Sequence, residues 1–453
     1  MRNSLDPSII LWLLTMRIFR QVFLLFAVLL STTAHAVPSF ARQTGLSCAA
    51  CHVGGFGPHL TDFGVHFKLT GYTFAKDNEF RIPVAGMVVA SVTDTSKPAA
   101  GTDADSKNKK VSLDQASIFL AGKLYQNAGI FSQVTYDGLA KATSIDQTEI
   151  RFANSFMAAG HSVIAGMTVN NNPGMTDPYN ALPAWGYPFI SSAIAPTPSE
   201  GTLLDGLLSL RVIGITSYAQ LDGKWFGEVG TYSSMSQNFQ GKLGLAADGD
   251  PGPVHGSFYG RVARHESFGD HSVSGGVTYF GADVQPDRTD PAKIGYRDVA
   301  LDVHHQWRIS DSRTFTLLAN MIHEHRDMSS MVALGSAQIN GLNYTEHNVS
   351  GSYYWNNSYG LTLQRFGLVG TRDSIVYGSG FAGASPNFSG NRIQVDWTPF
   401  GKQPIKSGFD PQLRLGLQYT MYDKFDGGKT NYDGTGRNAS NNNSLMLFAW
   451  TLF

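Results

Sequence analysis

The chain has 453 residues with 34 basic and 35 acidic side chains, a formal net charge of -1, so no basic field marks a nucleic-acid partner. Only 15% of residues are charged, against about 25% in an average globular protein, while 49 glycines and 12% aromatics suit a chain that faces lipid as well as water. Two cysteines, three positions apart in a single motif, exclude a disulfide scaffold and a cysteine-ligated iron–sulfur cluster.

Residues 1–36 read as a secretory signal. Arg17 and Arg20 form a positive start, Val22–Leu30 is an apolar run, and Ala34-His35-Ala36 offers a small-x-small cleavage site. Met16 directly precedes the positive stretch, so translation is expected to begin there. The apolar run is shorter than the ~20 residues a membrane helix needs. The mature protein is therefore expected to be exported and to begin near Val37.

Residues 37–80 form a small segment around Cys48-Ala49-Ala50-Cys51-His52. Two thiols spaced C-x-x-C with histidine next are the c-type haem attachment signature. Each thiol adds to one vinyl group of the porphyrin, and the imidazole of His52 then reaches the iron as an axial ligand. The competing readings are a disulfide, a thioredoxin-type pair and half a zinc site. Zinc needs two further ligands at finger-like spacing and a thioredoxin motif needs a βαβ context, and the sequence offers neither. Phe40, Phe56, Leu60, Phe63, Phe67, Leu69 and Tyr72 are candidates to line the pocket. So short a segment needs a staple and a surface to lean on; haem c supplies the first.

From residue 81 to residue 453 the pattern changes to short period-2 stretches. Leu413, Leu415, Leu417 and Tyr419 alternate with Arg414, Gly416, Gln418 and Thr420. Val299, Leu301 and Val303 alternate with Ala300, Asp302 and His304, which means half-buried strands. About sixteen such strands are expected, an even number as bacterial outer-membrane barrels have. Short turns near Gln126–Gly129, Leu221–Gly223, Ile309–Ser312 and Trp355–Tyr359 trade places with long loops near Asp94–Lys110, Asn171–Ser209, Ser233–Pro253, Met328–Asn340 and Lys424–Asn441. Short periplasmic turns and long outer loops define an orientation in which residues 37–80 enter from the periplasm. The last alternation closes on Phe453, as the final strand of such barrels does. The fold class is thus all-β: a transmembrane outer-membrane barrel whose polar lumen admits the haem segment as a plug. A soluble β-sandwich and a hanging periplasmic tail are the alternatives.

Pro38-Ser39-Phe40-Ala41-Arg42-Gln43-Thr44-Gly45 running into the C-x-x-C-H resembles the fused monohaem cytochrome–porins of iron-oxidising bacteria. So do Pro58 to Tyr72, Leu113-Asp114-Gln115-Ala116-Ser117, Gly129 to Asp137, and Asn170-Asn171-Asn172-Pro173 with Pro183-Ala184-Trp185-Gly186. The likeness lies in the first 190 residues. It implies an outer-membrane electron conduit in which extracellular Fe(II) reduces the haem and a periplasmic c-type cytochrome takes the electron. Such a protein is an iron:cytochrome oxidoreductase-like electron carrier.

A lumen-facing Met87 at the start of the first strand is a candidate distal iron ligand, whose thioether would raise the haem potential; packing at the barrel base is its other reading. His59 and His66 are alternatives that would lower the potential. His323, Glu324, His325 and Asp327 near the outer rim read as solvated surface or as a holding site for Fe(II). Of His304 and His305, strand geometry lets only one face inward. The competing functions are a porin with a structural or gating haem, a conduit for another donor, and a haem sensor or peroxidase with an open iron.

Overall fold

The computed structural model describes residues 38–77, 79, 81–97, 108–186, 190–378, 381–402 and 412–453; the signal sequence and the start at Met16 lie outside the described residues. Among these, sixteen antiparallel strands close into a barrel in chain order, from β1 (Val84–Thr95) and β2 (Val111–Tyr125) to β15 (Gln412–Lys424) and β16 (Ser444–Leu452). Closure is made by β1 on β16, with Met87 opposite Leu452 and Thr95 opposite Ser444. Phe453 extends the ladder, exchanging backbone hydrogen bonds with Gly86 at 2.7 and 2.9 Å. No edge is left unpaired, which removes the need for the sandwich packing of a soluble β fold.

The alternation in the sequence sets the two faces of the wall. In β10 (Ile294–Ser310), Val299, Leu301 and Val303 are exposed on the outside while Ala300, Asp302 and His304 are buried inside. An apolar exterior over a polar interior is the arrangement a barrel adopts in lipid. Tyr125, Trp225, Phe268, Trp307, Trp355, Tyr359 and Trp397 stand exposed beside the short turns and form an aromatic girdle at that end. No helix among the described residues is long and apolar enough to cross a membrane; the strands do so.

Turn and loop lengths follow the expected asymmetry with two departures. Residues 138–141, between β3 (Ala128–Asp137) and β4 (Ala142–Ala158), make a short connection at the loop end. Residues 398–411, before β15, make a longer one at the turn end. That longer turn reaches inward: Ala49 N–H donates to the Gly401 carbonyl at 3.1 Å. Gly55, at φ 71°, lies so close to Gly401 that an added Cβ would meet its Cα at 2.9 Å.

Two insertions fill the lumen. Residues 38–77 occupy the turn-end half, where helix Asp62–Leu69 packs Val65 and Leu69 against Ile164, Tyr218, Phe226 and Leu318 of the wall. Residues 171–186 and 190–211, from the loop between β5 (His161–Asn170) and β6 (Val212–Leu221), fold in from the other end and bury Leu182, Leu203, Leu204 and Leu208 against Tyr232, Tyr259, Phe280 and Ile322. Both insertions lean on the barrel, since neither is large enough to build a core alone.

Candidate functional site

The C-x-x-C-H motif is built from a one-turn helix, Cys48–Cys51, followed by an extended His52. Its shape is fixed by a network of main-chain bonds. Thr61 N–H donates to the Cys51 carbonyl at 2.9 Å and Val53 N–H to the His59 carbonyl at 2.8 Å. Thr61 caps the next helix by accepting from Gly64 N–H at 3.2 Å while its hydroxyl donates to the Ala50 carbonyl at 2.6 Å. Gly64 is required there, because a Cβ would meet the Cys51 carbonyl oxygen at 2.3 Å. Gln43 ties the segment to the wall: its amide nitrogen donates to the Tyr72 and Phe74 carbonyls at 2.6 and 2.7 Å, and its oxygen accepts from Lys123 N–H at 2.7 Å.

Cys48, Cys51 and His52 open onto a cavity of about 290 Å³ bounded by β1, β2 and β16. Phe40, Phe56, Leu60, Phe67 and Tyr72 line it from the plug, and Met87, Phe119, Phe131, Trp450 and Leu452 from the wall. Phe56 stands edge-on to Trp450 with centroids 4.9 Å apart, and Phe40 to Phe67 at 5.1 Å. Phe63 and Leu69, also expected there, are elsewhere: Phe63 meets Phe74 at 5.7 Å and Leu69 packs on the far wall. The lining is mostly apolar, as a pocket for a flat hydrophobic macrocycle requires. Burial pushes His52 down to about 4, so its imidazole is neutral, the state that can ligate a metal. Burial pushes the Cys51 thiol up to about 11. Two thiols and an imidazole opening together onto an apolar cavity form the donor set that thioether attachment of haem c would use.

The other iron-ligand candidates separate. Met87 is buried, faces the lumen and lines the cavity that holds His52. His59 is buried outside that lining and meets His304 of β10, Nε2 to Nε2 at 2.5 Å, bridging plug and wall. His66 is exposed on the free side of its helix and is also absent from the lining. His304 is the member of its pair that faces inward, while His305 meets His271 at 3.0 Å.

The rim cluster does not converge. On β11 (Arg313–Asp327) His323, His325 and Asp327 are exposed on the outside, whereas Glu324 is buried inside. Strand alternation separates Glu324 from the other three, and the two imidazoles are instead hydrogen-bonded to the neighbouring strand, His323 to Thr345 at 3.2 Å and His325 to Asn343 at 2.9 Å. Among the described residues no three His, Cys, Asp or Glu side chains are grouped to hold a bare metal ion.

The luminal loop is clamped by charge. Arg261, fully buried on β8 (Val254–Phe268), pairs with Asp302 at 2.5 Å and with Asp177 of the loop at 3.1 Å. Leu203 and Leu204 N–H groups donate to Glu324 at 2.5 Å and Asp298 at 2.9 Å. Lys68 of the plug donates to the Met175 and Asp177 carbonyls, both at 2.7 Å, and to Asn180 Oδ1 at 2.8 Å. Asn180 returns a bond to the Pro58 carbonyl at 2.6 Å. Plug and loop are thus stitched to each other as well as to the wall. Nothing in the strand pattern marks this inward fold of the loop; the nearest signal is the buried polar run Asn170 to Pro173 with Trp185, whose indole lines the cavity.

No protein-family model matches the chain, and no curated protein does. Solved structures share the barrel. The outer-membrane channel DcaP of Acinetobacter baumannii aligns over 82% of this chain and 96% of its own at 12% identity, TM-score 0.43. The anion-selective porin from Comamonas acidovorans aligns over 82% and 98% at 11% identity, TM-score 0.42. OmpF of Salmonella typhi aligns over 82% and 97% at 10% identity, TM-score 0.45. The fold itself is the closed sixteen-stranded antiparallel barrel described above.

Proposed function

We propose that this protein is an outer-membrane electron conduit that oxidises extracellular Fe(II) through one covalent haem c and passes the electron to a periplasmic c-type cytochrome. The observation that carries the reading is the C-x-x-C-H motif opening onto an apolar cavity inside a lumen that plug and loop together fill. A hydrocarbon layer of about 30 Å insulates donor from acceptor, and a carrier inside the barrel divides that distance into two shorter hops. Haem c, when bound, would supply a one-electron carrier on this path. Cys48 and Cys51 would hold it covalently, His52 would ligate its iron, and Met87 would be a second ligand from the wall. The chain itself excludes water through Phe40, Phe56 and Trp450 and fixes the motif through Thr61 and Gly401. A porin with a gating haem would need a continuous aqueous path, against which the Lys68 and Arg261 contacts stand.

Stopped-flow mixing of purified holoprotein with Fe(II) tests the reading. Reduction of a six-coordinate, low-spin haem is expected. Reduction by another donor but not by Fe(II) would leave a conduit and remove iron; a high-spin haem that binds small ligands would remove the conduit in favour of a sensor or peroxidase.

A further inference from the structure

A second chamber of about 420 Å³ lies on the loop side of the haem cavity. Gln115, Asn180, Trp185 and Trp450 line both and stand between them. Its walls are mixed, and among their polar groups are three acids, Asp114 on β2, Asp205 in the luminal loop and Glu346 on β12 (Gly341–Trp355).

The backbone is bent to bring Asp114 there. Between β1 and β2 the register slips, Val89 facing Gln115 and Ala90 facing Leu113, so Asp114 is the extra residue of a bulge. A bulge re-aims a side chain that regular alternation would send elsewhere, and Asp114 and its neighbour Gln115 both reach the chamber. Asp114 is only 7% exposed. Its carboxyl is hydrogen-bonded by Ser112, Oγ to Oδ1 at 2.6 Å, and by Ser91, while its Oδ2 makes no hydrogen bond of its own. A buried carboxylate oxygen in that state is costly unless a cation or its water meets it.

From the opposite wall, the Asp205 and Glu346 carboxyls are hydrogen-bonded to each other, which needs one shared proton and leaves a single negative charge. Thr202 completes Glu346 with its N–H at 3.2 Å and its hydroxyl at 2.9 Å. Arg392, the one guanidinium of the described lining, is held over Phe366 at 5.1 Å and donates to Gln364 at 3.0 Å.

We propose that this chamber holds a small divalent cation with its hydration shell intact, touching Asp114 and the Asp205–Glu346 pair through water. Under the conduit reading, on which this step rests, the ion is Fe(II) before oxidation. The acids stand on different walls and are not grouped for direct ligation, and oxygen-rich walls suit hard hydrated ions. Six waters at ~30 Å³ each fit the volume.

Mn(II), which the haem does not oxidise, is the probe. Electron paramagnetic resonance titration of the full holoprotein is expected to show one Mn(II) bound, weakened by roughly ten-fold or more in Asp114→Asn, the loss typical of an outer-shell partner, and retained in Asp114→Glu. The apparent affinity for Fe(II) in haem reduction should weaken in parallel, with the saturated rate and the haem spectrum unchanged. No Mn(II) bound at millimolar concentration, or equal binding by wild type and Asp114→Asn, overturns the proposal. Mn(II) binding that follows Asp114 in a protein whose haem Fe(II) never reduces keeps the cation site and overturns the conduit reading.

Discussion

The two insertions that fill the lumen are built on opposite principles. Residues 38–77 pack by aromatic and aliphatic contact, with Phe40, Phe56 and Phe67 around an apolar cavity. The loop 171–211 also buries leucines, but it is anchored by charge: Arg261 to Asp177, and main-chain N–H groups to Asp298 and Glu324. The difference teaches what each half can do. An apolar floor suits the flat cofactor proposed for it, whereas a charged ceiling resists opening because each buried ion is costly without its partner.

Removing both attachment thiols should have the largest effect on this contrast. Cys48→Ala with Cys51→Ala is expected to abolish covalent haem, read as loss of haem stain on a denaturing gel, while the barrel still folds and shows heat-modifiable migration. Haem that stays bound through denaturation would break the assignment.

The ceiling breaks at Arg261. Arg261→Met leaves Asp177 and Asp302 buried without their cation, a loss of about 3–5 kcal/mol for a broken buried pair. Wild type is expected to be silent in planar bilayers and the variant to conduct ions. A conducting wild type would return the porin reading.

On the floor, Met87→Ala is expected to lower the haem potential by roughly 0.1 V or more, within the ~0.8 V that axial ligands span. An unchanged potential and spectrum would make Met87 a packing residue only.

The smallest effect concerns the seam between floor and ceiling. Burial lowers Lys68 from its ordinary 10.5 to about 8, against the raising influence of Glu149. Between those values the unfolded chain holds more protons than the folded one, so stability rises with pH through that window and is least below pH 8. The whole difference is about 3 kcal/mol. The urea midpoint of the Soret band should climb between pH 8 and 10, and Lys68→Met should flatten the slope.

Much of this was readable in the sequence, for physical reasons. Period-2 alternation in Leu413 to Thr420 or Val299 to His304 reports which face meets lipid, because a strand has only two faces. The placement of Met87 inside follows from the same rule. What the rule does not reach is contact across the lumen. His59 with His304 joins residues from separate segments, and no local pattern encodes it. Asp114 is hidden by the bulge itself, since alternation places Asp114 and Gln115 on different faces. The inward fold of 171–211 escapes because outer loops share one polar composition whether they fold in or out.

The most direct measurement uses liposomes carrying inserted holoprotein, with oxidised cytochrome c sealed inside and Fe(II) added outside. Reduction of the enclosed cytochrome, without release of an enclosed small dye and only with Cys48 and Cys51 intact, is expected. An enclosed cytochrome that stays oxidised while external Fe(II) persists would contradict electron passage through the filled barrel.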